Sequence, residues 1–239
     1  WLFLAASISK EEADKDKFDY INPEVGEIQT GAYQDVAVDT IGIPYSAQTK
    51  DAFNDEIKKS IDPAKVKQLV IICVDKSYSM TENYDQGLNR FQASQKFFIK
   101  FTQACYRYHT TSLYGSIMFN SQIEIRNQLN PLPKNFEQQM IIQNEKPSGG
   151  TALFKAMKTA GDLLAKENEG NKYPNAVLRI IVISDGKDIY AKAPSMAQIS
   201  NELLEKKIRI DAIIVSQEIA KELVLTSRES GGVAMLAQH

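Results

Sequence analysis

The chain has 239 residues, 43% hydrophobic and 24% charged, with 28 Lys plus Arg against 30 Asp plus Glu for a net charge of −2. That length and apolar content suffice to bury a core and exclude a disordered chain, while 12 Gly and 8 Pro exclude collagen-like or low-complexity organisation. The near-neutral charge offers no general attraction for nucleic acid or an anionic membrane surface. Trp1–Ala6 is apolar and opens on Trp rather than Met, which reads as a processed or truncated start: the stub of a targeting segment, a strand or a docking tail. Residues 7–30 set three lysines against seven acidic residues and read as an exposed or partner-docked arm. Short extended patterns follow over 31–50, around Val36, Val38, Ile41, Ile43 and Tyr45. Residues 51–61 predict a short helix, with Phe53, Ile57 and Ile61 one turn apart, ended by Asp62-Pro63. This places an N-terminal extension at residues 1–66, before a regular domain at 67–239.

From residue 67 the pattern becomes orderly. Residues 68–74 are a continuous apolar run, the mark of a strand buried on both faces. A helix is predicted over 89–106, with Phe91, Phe98, Phe101 and Cys105 on one stripe. Two shorter strands follow at 112–119 and 122–127. A strong helix spans 152–166, where Leu153, Ala156, Met157, Ala160, Leu163 and Leu164 share a face. A second buried strand covers 177–184. Ser195-Met-Ala-Gln198 starts a helix as a capping box. A third buried strand runs 208–215, a helix 218–229 stops at Gly231-Gly232, and a last strand covers 233–236. Strands alternating with helices require crossover connections, hence an α/β fold: a doubly wound, mostly parallel sheet flanked by helices. Cys73, inside the first apolar run, and Cys105, closing a helical pattern, read as buried free thiols. Two cysteines and two histidines cannot form a disulfide framework or a Cys/His zinc site. With no Asn-x-Ser/Thr sequon, they lean toward a cytoplasmic setting, the alternatives being extracellular or membrane-associated. No run of about 18 apolar residues is present to span a membrane.

In such sheets ligands collect at the carboxyl ends of the strands, which singles out three loops. Asp75-Lys76-Ser77-Tyr78-Ser79 follows the first buried strand; one carboxylate and two hydroxyls spaced by two can converge on one point from a tight turn. Pro147-Ser148-Gly149-Gly150-Thr151 precedes the strong helix, where Thr151 is also placed to cap it and the glycines permit close backbone approach. Ser184-Asp185-Gly186-Lys187-Asp188 ends the next buried strand and offers a second carboxylate. Each loop has an ordinary reading as turn or cap chemistry. Their conjunction gives a set of hard oxygen donors suited to Mg2+, Mn2+ or Ca2+ rather than Zn2+.

These residues, with Ile117-Met-Phe-Asn-Ser121, Arg179 to Gly186 and Ile208 to Val215 as strands, resemble the von Willebrand factor type A domain with a complete metal-ion-dependent adhesion site, MIDAS. The resemblance covers roughly residues 67–239. It implies that Asp75, Ser77, Ser79, Thr151 and Asp185 hold Mg2+, or alternatively Mn2+ or Ca2+. It further implies a divalent-metal-dependent protein-binding module whose cation accepts an Asp or Glu carboxylate from a partner protein. Lys76, Tyr78, Gly149, Gly150 and Lys187 would form the partner-binding rim. Tyr78 stands where the family often has Gly, and Lys76 where it often has a small or apolar residue, so both lysines would bring positive charge near the carboxylates.

Two other readings are weighed against this. One is a structural subunit of a larger assembly, with the metal site vestigial or stabilising. The other is a Mg2+-dependent phosphohydrolase of the haloacid-dehalogenase type. That chemistry needs a general acid two positions after the first Asp, where Ser77 stands. A G-x-S-x-G elbow, a Walker A loop and a G-x-G-x-x-G turn are all missing, and His109 and His239 sit in unpromising places, so the sequence reads as a non-enzyme.

Overall fold

A computed structural model describes residues 58–59, 61–85, 87–107, 111–131, 145–186, 188, 195–216 and 220–237. The acidic arm, the extended patterns of 31–50, most of the 51–61 helix, Lys187 and both histidines lie outside the described residues.

The first apolar run forms β1 (Gln68–Asp75), and a 3-10 turn follows at Tyr78–Thr81. A small hairpin, β2 (Asn83–Asp85) with β3 (Leu88–Asn89), leads into α1 (Arg90–Arg107). Then come β4 (Ser112–Phe119), β5 (Ile123–Pro131), α2 (Leu153–Glu167), β6 (Val177–Ser184), α3 (Met196–Glu205), β7 (Ile208–Ile214), α4 (Lys221–Glu229) and β8 (Ala234–Leu236). The main sheet has the order β5-β4-β1-β6-β7-β8. Every pairing is parallel except β4 with β5. The predicted doubly wound, mostly parallel sheet is therefore the observed one.

The side-chain period of two explains why β1 is apolar throughout. Leu69, Ile71 and Cys73 join Ile180, Val182 and Ile210 under Leu153, Met157 and Leu164 of α2, Ile199 and Leu203 of α3, and Leu223 of α4. Val70, Ile72 and Val74 point the other way, with Ile181, Ile183 and Ile213, under Phe91, Phe98 and Cys105 of α1. Phe101 and Tyr114 meet edge-on there, 6.4 Å between ring centroids, and Phe97 stacks at 6.2 Å from Phe101. The predicted capping box forms: the Ser195 hydroxyl accepts from Gln198 N–H, and the Gln198 side chain accepts from Ser195 N–H. Both cysteines are free and buried. Burial pushes the Cys73 thiol far above its usual range and the Cys105 thiol up to about 11.

Two details depart from the sequence pattern. β5 continues to Pro131, past the predicted end at 127, because register shifts opposite Tyr114, Ser116 and Ile117 absorb the break in alternation. Asn127 Nδ2 donates to Ser116 Oγ at 2.7 Å beside the irregularity. The β2–β3 hairpin was not predicted; its five residues are too few and too polar to give a periodic signal.

The chain leaves β1 through α1 toward β4 on one side, and α2 on the opposite face leads to β6 on the other. Adjacent strands thus feed opposite layers, which opens a crevice above the carboxyl ends of β1 and β6. Asp75 and Asp185 lie at those ends.

Candidate functional site

Backbone bonds join the first two loops to each other and to the β4–β5 turn, and the third meets the first through the Ser184 side chain. Lys76 N–H donates to Phe119 C=O (2.7 Å), Ser148 N–H to Lys76 C=O (2.9 Å), and Tyr78 N–H to Gly149 C=O (2.9 Å). Asn120 links the same region: its C=O accepts from Ala152 N–H (2.8 Å) and its Nδ2 donates to Ser148 C=O (3.0 Å). Gly149, at φ +74°, adopts a backbone that a side chain would strain. Gly186, at φ +82°, also has no room, since a Cβ there would lie 2.0 Å from the Ala220 Cβ.

Within this frame Asp75 is wholly buried, and Ser77, Thr151 and Asp185 are almost so. Asp75 Oδ1 accepts from Ser77 N–H at 2.8 Å, and Oδ2 accepts from the Ser184 hydroxyl at 2.6 Å. The Ser77 and Ser79 hydroxyls face each other at 3.2 Å. Burial pushes the Asp75 carboxyl up to about 6, against the lowering effect of the Ser184 and Ser77 hydrogen bonds, and the Asp185 charge adds to the rise. Ser184, which holds Asp75, directly precedes Asp185, so both carboxylates sit at the carboxyl ends of adjacent strands. Asp185 Oδ2 in turn accepts from Arg90 Nη1 at 3.2 Å.

The rim residues separate by environment. Tyr78 is 71% exposed. Lys76 is buried instead, with its ammonium 2.6 Å from Glu124 Oε1 and 3.4 Å from Glu145 Oε2. Arg126 completes a four-member charge network by pairing with both of those glutamates. The positive charge that the sequence brings near the carboxylates at Lys76 is thus matched within the chain, because the parallel β1–β4 register carries Lys76 over the start of β5.

Thr151 does not cap the following helix. The N-cap position falls on Ala152, which makes no side-chain cap bond, and the Asp188 carboxylate accepts from Phe154 N–H at 2.8 Å instead. Asp188, Ser184, Arg90 and Asn120 all shape the site and none was singled out from sequence as a site residue. Asp188 and Ser184 lie in the loop that ends the second buried strand, but nothing in their spacing reveals a partner on another element.

The donor chemistry fits a hard divalent cation: two carboxylates and three hydroxyls, all oxygen. Among the described residues no group of three or more His, Cys, Asp or Glu could hold a metal ion, so any cation here would rest partly on hydroxyls. Also among the described residues, no helix is long and apolar enough to cross a membrane.

Residues 70–187 match the family model of the von Willebrand factor type A domain. No curated protein matches the sequence. Among solved structures, the fold is similar to that of an aerotolerance-related membrane protein from Bacteroides fragilis with multiple mutations to serines. That likeness has TM-score 0.57 at 14% identity, covering 72% of this chain and 92% of that one. The VWA domain of SpRpn10 is similar with TM-score 0.56 at 15% identity, over 71% of this chain and 86% of that one. Proximal thread matrix protein 1 from the mussel byssus, in a structure with a zinc-occupied MIDAS motif, gives TM-score 0.55 at 20% identity, over 72% of this chain and 44% of that one. At such identities these likenesses speak for the fold. The match over residues 70–187 and the shared architecture support a von Willebrand factor type A domain in this chain, a family of generally non-enzymatic modules that often mediate metal-dependent protein interactions.

Proposed function

We propose that this chain is a divalent-metal-dependent protein-binding module, in which Asp75, Ser77, Ser79, Thr151 and Asp185 hold a cation that accepts an Asp or Glu carboxylate from a partner protein. The observation that carries the reading is the meeting of three distant loops around two buried carboxylates at the switch point of the sheet, where Asp75 accepts from Ser184, the neighbour of Asp185. The all-oxygen donor set favours Mg2+, with Mn2+ or Ca2+ as alternatives. The zinc-occupied MIDAS motif of the mussel byssus protein, which shares the fold, is in keeping with a divalent ion. When bound, the cation supplies an open coordination position for an incoming carboxylate.

The chain's own residues do the rest. Ser184 and the Ser77 N–H fix the Asp75 carboxylate, so its remaining lone pairs keep one direction. Three hydroxyls donate without adding negative charge, which leaves the site attractive to an anion. Exposed Tyr78 is the proposed contact at the rim, together with Gly149 and Gly150; Lys187, the remaining proposed rim residue, lies outside the described residues, and Lys76, held by Glu124 and Glu145, braces the first turn. This module is taken as residues 67–239, with 1–66 as an extension.

The test is cation dependence. Mg2+ or Mn2+ at about a hundredfold excess over Kd is expected to stabilise the fold by about 2.7 kcal/mol. For a domain of this size that is a rise in Tm of roughly 5–10 °C. Partner proteins captured on the immobilised chain and identified by mass spectrometry are expected to elute with EDTA and rebind on adding Mg2+. Capture indifferent to the chelator would remove the metal from the contact.

A further inference from the structure

Arg90 opens α1 and is buried to 8% exposure, yet it is not part of the proposed donor set. Its guanidinium spans two loops. Nη1 lies 3.2 Å from both Asp185 Oδ2 and the Ser79 carbonyl, and Nη2 lies 2.8 Å from Glu82 Oε2. The backbone holds it there, as Arg90 N–H donates to Glu82 C=O at 3.0 Å.

From this geometry we infer that Arg90 is a tethered cation that competes with the divalent ion for Asp185, so that it weakens metal loading while keeping the rim folded without metal. The inference rests on the metal-site reading above. The Asp185 side chain is fully buried, and a buried carboxylate needs a counter-charge. Arg90 is positioned to supply one. The contact is single-pronged rather than the parallel two-bond fork that makes Arg–carboxylate pairs strong, and buried Nε has no hydrogen-bond partner. Such a contact is exchangeable. Glu82, 58% exposed at its side chain, and the Ser79 carbonyl give the guanidinium anchors to keep when Asp185 turns to the ion. A fixed positive charge in a buried site opposes a divalent cation with little screening. The same charge makes a loaded site more attractive to a partner carboxylate.

The experiment is titration of the purified chain with Mg2+ and with Mn2+, read by calorimetry and thermal shift, for wild type, Arg90→Gln and Arg90→Lys. Arg90→Gln is expected to bind either ion at least about tenfold more tightly. Its metal-free Tm should fall, because Asp185 loses its counter-charge. Arg90→Lys keeps the charge and should stay close to wild type in cation affinity. A merely structural role for Arg90 would not raise cation affinity. If wild type binds and Arg90→Gln binds equally or more weakly, the inference falls and the metal reading stands. If only Arg90→Gln binds, the inference holds in its strongest form. If neither binds Mg2+ or Mn2+, both fall together. Should Arg90→Gln fail to fold without metal, Glu82→Gln decides: it removes the competing carboxylate and leaves Asp185 as the guanidinium's one charged partner beside the Ser79 carbonyl, so cation binding should weaken several-fold at an unchanged metal-free Tm, and unchanged affinity would overturn the inference.

Discussion

Asp75→Asn is expected to erase the Mg2+-induced rise in Tm and the EDTA-sensitive partner capture together, while leaving the metal-free protein at least as stable as wild type. The wild-type carboxylate is ionised at pH 7 in a site that disfavours its charge. Raised from 3.8 to about 6 by burial, that charge costs about 3 kcal/mol in the metal-free fold. Asparagine removes the charge, still accepts from Ser77 N–H, and has an amide that can donate to the Ser184 oxygen. The sign of the pH dependence follows. Between 3.8 and about 6 the folded carboxyl holds a proton that the unfolded chain has released, so the penalty builds across that window as pH rises and is complete above it. In chelator, the advantage of Asp75→Asn over wild type should therefore be full at pH 7 and vanish near pH 4, as measured by denaturant unfolding. A variant that keeps its cation-induced shift would refute the role of Asp75. One that instead loses several kcal/mol without metal would favour the reading of the site as a structural fixture.

The largest loss of stability is expected at the other end of the sheet, from Arg179→Met. Arg179 Nε pairs with Asp211 Oδ2, and the Asp211 side chain is fully buried. Asp211 Oδ1 also accepts from Val233 N–H at 2.8 Å, which ties the entry of β8 to β7. Removing the arginine leaves an uncompensated buried anion at a cost of about 3–5 kcal/mol. This corresponds to a fall in Tm of roughly 6–20 °C. Asp211→Asn should cost less, since the amide oxygen still accepts from Val233 N–H and no buried anion remains. Urea unfolding of both variants checks the order; a loss below about 1 kcal/mol for Arg179→Met would mean the pair behaves like a solvated surface bridge.

Much of the architecture was readable because burial imposes a period. The runs at 68–74, 177–184 and 208–215 alternate between two helical layers, and only a strand covered on both sides needs that many apolar residues in a row. The α2 stripe and the Ser195 capping box are likewise local signals that tertiary contacts had no reason to override. The candidate donors were legible by type and place, at the ends of strands where a doubly wound sheet gathers ligands. What stayed hidden depends on contacts between elements far apart in sequence. Arg90 reads as an ordinary first residue of a helix until β6 brings Asp185 to it. Asp188 reads as a turn residue until α2 presents Phe154 N–H. Lys76 reads as a rim charge until the edge of the sheet brings Glu124 over it.

The two thiols carry a practical consequence. Cys73 belongs to the core beneath α2, and Cys105 lies in α1 on the opposite side. With both held as neutral SH, neither is a nucleophile in the native state. An alkylating reagent must therefore wait for a layer to lift, and the rate at which each sulfur is tagged meters the opening of its own layer. The chain thus contains a pair of natural clocks, one for each side of the sheet.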